Sequence, residues 1–189
     1  VEYVEKVCEQ AKRYGSQIII LTGGEPLLHP HLEEMVDVIV RHGYRWHIVT
    51  NATLLDRLAK LVNHPERRRS LLMTSVSLDG AKAETNDHIR EEGNFRKIMK
   101  AMAYMKGKGL PMGFKTSVNT LNIGEMEDIV NLAAKIGAAF VEFSHMHPTP
   151  ELIRQKLILP RERWSEMDKE VMRLKNLYRM EISMCAGSR

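Results

Sequence analysis

Cysteine is scarce in this chain: its 189 residues include two, Cys8 and Cys185, one near each end. Two thiols cannot supply three thiolates to one metal cluster, and Cys8 falls on an apolar helical stripe, where it reads as a small buried hydrophobe. Long apolar runs are missing too. No stretch approaches the ~18 residues of a membrane-spanning helix and no signal peptide is visible, so a cytoplasmic chain with no membrane partner is expected. Charge of one sign does not dominate: 28 Lys and Arg face 24 Asp and Glu, for a formal charge of +4. The one basic run, Arg67-Arg68-Arg69, contains no aromatic residue. It reads as a solvated corner, and no nucleic-acid partner is expected. Internal repeats and low-complexity segments are absent.

With 43% apolar residues, the chain can bury one sizeable core. Helix-like and strand-like segments alternate along it. The periodicity predicts helices over 1–14, 30–42, 53–63, 93–108, 124–136 and 160–178, and strands over 17–22, 45–50, 71–79, 112–119 and 138–146. Short connections between alternating elements argue for an α/β fold, a parallel sheet covered by helices. Asn122 and Glu125 read as a capping pair opening the fifth helix.

The richest stretch is Thr22-Gly23-Gly24-Glu25-Pro26-Leu27-Leu28-His29-Pro30, which follows the β-branched run Ile18-Ile19-Ile20-Leu21. Adjacent glycines at a strand's carboxyl end let a ligand approach the backbone closely. Glu25 adds a carboxylate suited to a cationic amine, and Pro26 turns the chain away. Ligands of α/β proteins collect at strand carboxyl ends, and Gly23, Gly24, Glu25, Thr50, Asn51, Ser77, Asp79 and Asn119 all fall at such ends. One shared cleft is therefore expected. In the strand expected over 71–79, Ser75, Ser77 and Asp79 share one face, where a filled barrel would carry Val, Ile or Leu. The pairs His29/His31 and His145/His147 read as loop and strand residues ahead of a metal pair.

Gly23-Gly24-Glu25-Pro26 resembles the S-adenosylmethionine-binding signature of the radical SAM superfamily. Later landmarks follow in order: Val49-Thr50-Asn51-Ala52 resembles its "TNG" element, Ser77-Leu78-Asp79-Gly80 its "SLDG" element, and Asn86-Asp87-His88-Ile89-Arg90 with Gly93-Asn94-Phe95 its "HDxIRGxGxF" stretch. The likeness covers almost the whole chain. It implies a partial (β/α)6 TIM-like barrel over 1–180, here lacking its first strand and the Cys-x-x-x-Cys-x-x-Cys loop that binds a [4Fe–4S] cluster. The chain opens at Val1 in a helical pattern, so an amino-terminal piece is expected to be missing, and the polypeptide as it stands is expected to lack the catalytic cluster.

The resemblance also implies roles. Gly23, Gly24, Glu25 and Pro26 would hold the amine of S-adenosylmethionine, Ser77 and Arg90 its carboxylate, and Thr50 and Asn51 the ribose side, with Asp79 and Asn119 nearby. Asp79 could instead cap the turn at Gly80, Asn119 brace a strand end, and Arg90 form a surface pair with Asp87, Glu91 or Glu92. No convincing nucleophile with a partner base is present, because the implied chemistry belongs to cluster and cosubstrate: a 5′-deoxyadenosyl radical that abstracts hydrogen from a peptide or small-molecule substrate, fed by a donor such as flavodoxin or ferredoxin. Met184-Cys185-Ala186-Gly187 resembles the opening of the SPASM extension over 181–189, which makes Cys185 a candidate ligand of an auxiliary iron–sulfur cluster. Two other readings stand beside this one: a non-catalytic barrel piece with a nucleotide-shaped pocket, and a phosphate-binding barrel enzyme, against which Glu25 argues.

Overall fold

The computed structural model describes residues 1–185, so Ala186 and Gly187 of the extension-like motif lie outside the described residues. The chain divides into two compact units, 1–76 and 77–189. The first runs α1 (Glu2–Arg13), β1 (Ile18–Leu21), α2 (Leu32–Arg41), β2 (Arg45–Thr50), α3 (Leu55–Asn63), α4 (Pro65–Ser70) and β3 (Leu71–Ser77), whose last residue opens the second unit. Its strands are parallel, with Ile19 opposite Trp46 and Ile48 opposite Thr74. Apolar positions three and four apart on α2 and α3 supply Val36, Ile39, Leu58 and Leu61, which are fully buried with Trp46 and Ile48.

The basic run is a solvated corner only at Arg68 and Arg69, which are exposed. Arg67 lies within α4 and is 8% exposed. Its guanidinium grips Asp37 of α2 bidentately, at 2.6 and 2.7 Å, and reaches Glu33 at 3.0 Å. Its backbone carbonyl accepts the Trp46 indole N–H at 2.7 Å, so the pair anchors α4 to the core. Two carboxylates on α2, remote in sequence, make a buried cation tolerable here.

The second unit runs α5 (Ala83–Ile89), α6 (Asn94–Gly107), β4 (Met112–Val118), α7 (Met126–Ile136), β5 (Phe140–His145), α8 (Pro150–Arg154), α9 (Trp164–Leu177) and β6 (Glu181–Met184). Its strands are also parallel, in the order β4-β5-β6, with Phe114 opposite Val141 and Val141 opposite Ile182. β6 was not expected from the sequence. It occupies the start of the 181–189 stretch and extends the sheet, yet it has four residues and a single buried side chain, Ile182, too few to carry a period. The expected cap of α7 also differs: Asn122 accepts from Asn119 N and donates to Asp79 and Ser117 carbonyls, while Glu125 accepts from Ala81 N and Thr85 Oγ1.

A hydroxyl in the core of the first unit is unsatisfied. Thr74 on β3 is fully buried and its hydroxyl has no partner among the described residues. Desolvating an unpaired hydroxyl costs about 1 kcal/mol or more. Thr74→Val should therefore raise stability by roughly 1 kcal/mol in denaturant unfolding; a loss would show that the hydroxyl is bonded.

Candidate functional site

In the first unit the glycine loop leaves β1 and enters a single 3-10 turn, Pro26–Leu28. Gly23 sits at φ +138°, a backbone that side-chain-bearing residues avoid. Gly24 has no such constraint, and a Cβ built on it would meet nothing within 4 Å. Nothing in the protein demands glycine there: Gly24 is exposed and the space above its backbone is open.

Glu25 stands beside this space with its carboxylate held in place. Oε1 accepts from Leu27 N at 2.9 Å and from Thr50 Oγ1 at 2.7 Å, and Oε2 accepts from Asn51 N at 2.7 Å. A carboxylate offers about four acceptor sites, so three are filled and one on Oε2 remains for a cationic amine. The same bonds fasten the glycine loop to the end of β2. Thr50 is 2% exposed and also accepts from Ala52 N, which makes it a brace of the loop. Asn51 Oδ1 accepts from both the backbone N–H and the hydroxyl of Thr53, forming an Asx turn. Ala52 itself has φ +55°, which explains why the resembled element has glycine at this position. On β2 and β3, His47 Nε2 and Ser75 Oγ bond at 2.7 Å, a pair that alternation alone did not join.

In the second unit Ser77 is half-buried, whereas Asp79 is 3% exposed. Asp79 Oδ1 accepts from Ser117 N at 2.8 Å and Oδ2 pairs with Arg90 Nη2 at 2.8 Å. Burial pushes the Asp79 carboxyl above the usual carboxylate range, against the pull of Arg90 and the Ser117 N–H. Arg90 thus pairs with Asp79 and not with Asp87, Glu91 or Glu92. Its Nε is buried with no partner among the described residues, so the guanidinium fork is only partly used. Asn119 is fully buried, accepting from Leu121 N and donating to Ser117 O; it braces the strand end.

The asparagines around this pair carried little signal in the sequence. Asn86 Oδ1 accepts from Asp79 N and its amide donates to Asn94, while Asp87 accepts from Gly93 N and Phe95 N and so caps α6 from a distance. Gly80 leaves no room for a side chain, since a Cβ there would stand 2.5 Å from Asn86 N. His145 stacks on Trp164 with ring centroids 4.3 Å apart, a packing role.

No three His, Cys, Asp or Glu side chains converge as a metal site among the described residues. Cys8 is fully buried, and Cys185, half-buried, follows β6 with its N–H on Phe143 O at 2.8 Å. This donor set does not fit a [4Fe–4S] cluster. In the first unit, the open space at Gly24 and the remaining Glu25 acceptor suit an ammonium group; in the second, the partly used Arg90 fork suits a carboxylate.

Residues 1–133 match the model of the radical SAM superfamily. The AdoMet-dependent heme synthase of Methanosarcina barkeri is 31% identical over 144 residues, 75% of this chain and 40% of that protein. The mycofactocin maturase of Mycobacterium tuberculosis is 29% identical over 139 residues, 70% of this chain and 33% of that one. The chain thus spans well under half the length of these curated relatives. Among solved structures, Streptococcus suis SuiB bound to S-adenosylmethionine matches 96% of the chain and 41% of its own, at 15% identity and a TM-score of 0.75. That likeness bears on the fold, and it agrees with the partial (β/α)6 barrel and its parallel strands alternating with helices. A family whose members use S-adenosylmethionine and a [4Fe–4S] cluster accounts for the motif order, the fold and the glycine loop alike, and the chain belongs to the radical SAM superfamily.

Proposed function

We propose that these residues form the cosubstrate-binding part of a radical SAM enzyme acting in peptide or cofactor maturation, with the [4Fe–4S] ligands supplied by sequence outside them. The observation that carries the reading is the Glu25 carboxylate, immobilised by three donors with one acceptor site left beside the empty space over Gly24. Gly23, Gly24 and Pro26 shape the cradle, Glu25 takes the ammonium of S-adenosylmethionine, and Ser77 and Arg90 take its carboxylate. Thr50, Asn51, Asp79 and Asn119 hold these groups in place. When bound, cosubstrate and cluster supply hydrogen-atom abstraction; the chain's own residues bind and orient. Cys185 serves as the first ligand of an auxiliary cluster in an extension that begins after β6. A flavodoxin- or ferredoxin-type protein delivers the electron, in the cytoplasm.

Titration of the complete enzyme with S-adenosylmethionine tests the assignment. Ser77→Ala should weaken binding by roughly 1–3 kcal/mol, the cost of leaving a charged carboxylate one donor short. Unchanged affinity would remove Ser77 from the site.

A further inference from the structure

The strands of the second unit have two unlike faces. One carries Phe114, Thr116, Val118, Val141, Phe143 and Ile182, all 2% exposed or less, and α7 and α9 pack on β5 and β6 there. Residues of the other parity are polar and half-exposed: Lys115 and Ser117 on β4, Glu142 and Ser144 on β5, Ser183 on β6. Strand register sets Lys115 opposite Glu142, Glu142 opposite Ser183, and Ser117 opposite Ser144, so they form two adjacent polar rows. Below them Phe140 lies across Gly113, where a Cβ would stand 2.2 Å from its ring, and gives the rows an apolar floor.

The centre of this face is an ion pair, Lys115 Nζ to Glu142 Oε1 at 2.6 Å, with side chains 32% and 24% exposed. Lys115 keeps two further N–H donors and Glu142 a second oxygen. A donor and an acceptor therefore stand side by side on an internally neutral pair. An extended peptide presents the same arrangement inverted, the N–H and C=O of one residue on one edge of the chain. A ligand bearing several carboxylates gains nothing from a neutral pair and would meet Glu142 with like charge.

We propose that Lys115 and Glu142 bind the backbone of an extended peptide substrate, whose N–H donates to Glu142 and whose C=O accepts from Lys115, with a side chain over Phe140. This rests on the reading of the chain as part of a radical SAM maturation enzyme. The test uses the complete enzyme with S-adenosylmethionine bound. A library of short N-acetylated, C-amidated peptides and, separately, coproporphyrin III are offered, and retention is read by gel filtration and mass spectrometry. Capped peptides should be retained. Lys115→Met and Glu142→Gln should each cut their retention about tenfold or more, the loss of one charge-assisted hydrogen bond. The swap K115E/E142K, which exchanges donor and acceptor across the same pair, should restore much of it. Cosubstrate affinity, titrated in parallel, should stay unchanged in every variant; its absence in the unaltered enzyme would overturn the glycine-loop reading instead. Peptide retention equal to the unaltered enzyme in both single variants, or retention of the porphyrin and not the peptides, would overturn the proposal.

Discussion

Gly80→Ala is expected to cost about 3 kcal/mol or more, a large share of the ~5–15 kcal/mol that holds a domain folded. The new Cβ would stand 2.5 Å from Asn86 N, 2.9 Å from Thr85 Cβ and 3.0 Å from Asn86 Cα. Backbone cannot rotate aside as a flexible side chain can. Relief therefore requires α5 to move, and α5 carries Asn86, which holds Asp79 N and Asn94. Moving it loosens the support of the buried Asp79–Arg90 pair, so the damage spreads beyond one contact. Denaturant unfolding with circular dichroism measures the effect. Stability equal to the unaltered protein would mean that the Gly80–α5 approach is looser than described.

Gly24→Val is expected to do the opposite, leaving the fold intact and removing cosubstrate binding. Gly24 lies outside the positive-φ region and a Cβ there meets nothing within 4 Å, so a side chain can be added without backbone strain or a Cβ clash. Its methyls would instead fill the space beside the last Glu25 acceptor site. Affinity for S-adenosylmethionine should fall by about a hundredfold or more, since the ammonium loses its approach to a charged acceptor worth roughly 3 kcal/mol. The unfolding midpoint should stay within ~0.5 kcal/mol of the original. Gly23→Val separates the two effects, because at φ +138° the backbone itself resists the substitution. A Gly24→Val protein that is folded and binds normally would reduce the loop to a turn.

Most of the alternation was legible because helical and strand periods are local properties of neighbouring residues. β1 to β5 and the longer helices lie within the segments expected from those periods. The helices α4, α5 and α8, of seven residues or fewer, are too short to show a helical period, and β6, as short as β1, lacks the β-branched run that marks β1. The site was legible as residue types at strand ends, but not as a wiring diagram. Glu25 could be read as an amine-binding carboxylate; that Thr50, 25 residues downstream, and Asn51 occupy most of it could not. The partners of Arg67 and Arg90 escaped for one reason: which carboxylate meets an arginine depends on residues that only the fold brings near. Glycine motifs also conceal distinct causes: φ at Gly23, open space at Gly24, and close backbone approach at Gly80.

The most direct test of the amine site is a ¹H–¹⁵N correlation titration of the protein with S-adenosylmethionine. Amide shifts should concentrate at Gly23, Gly24, Glu25 and Asn51, whose N–H already lies on the Glu25 carboxylate, and should vanish in Gly24→Val. Saturable shifts confined to other residues, or binding with the glycine-loop amides unmoved, would contradict it.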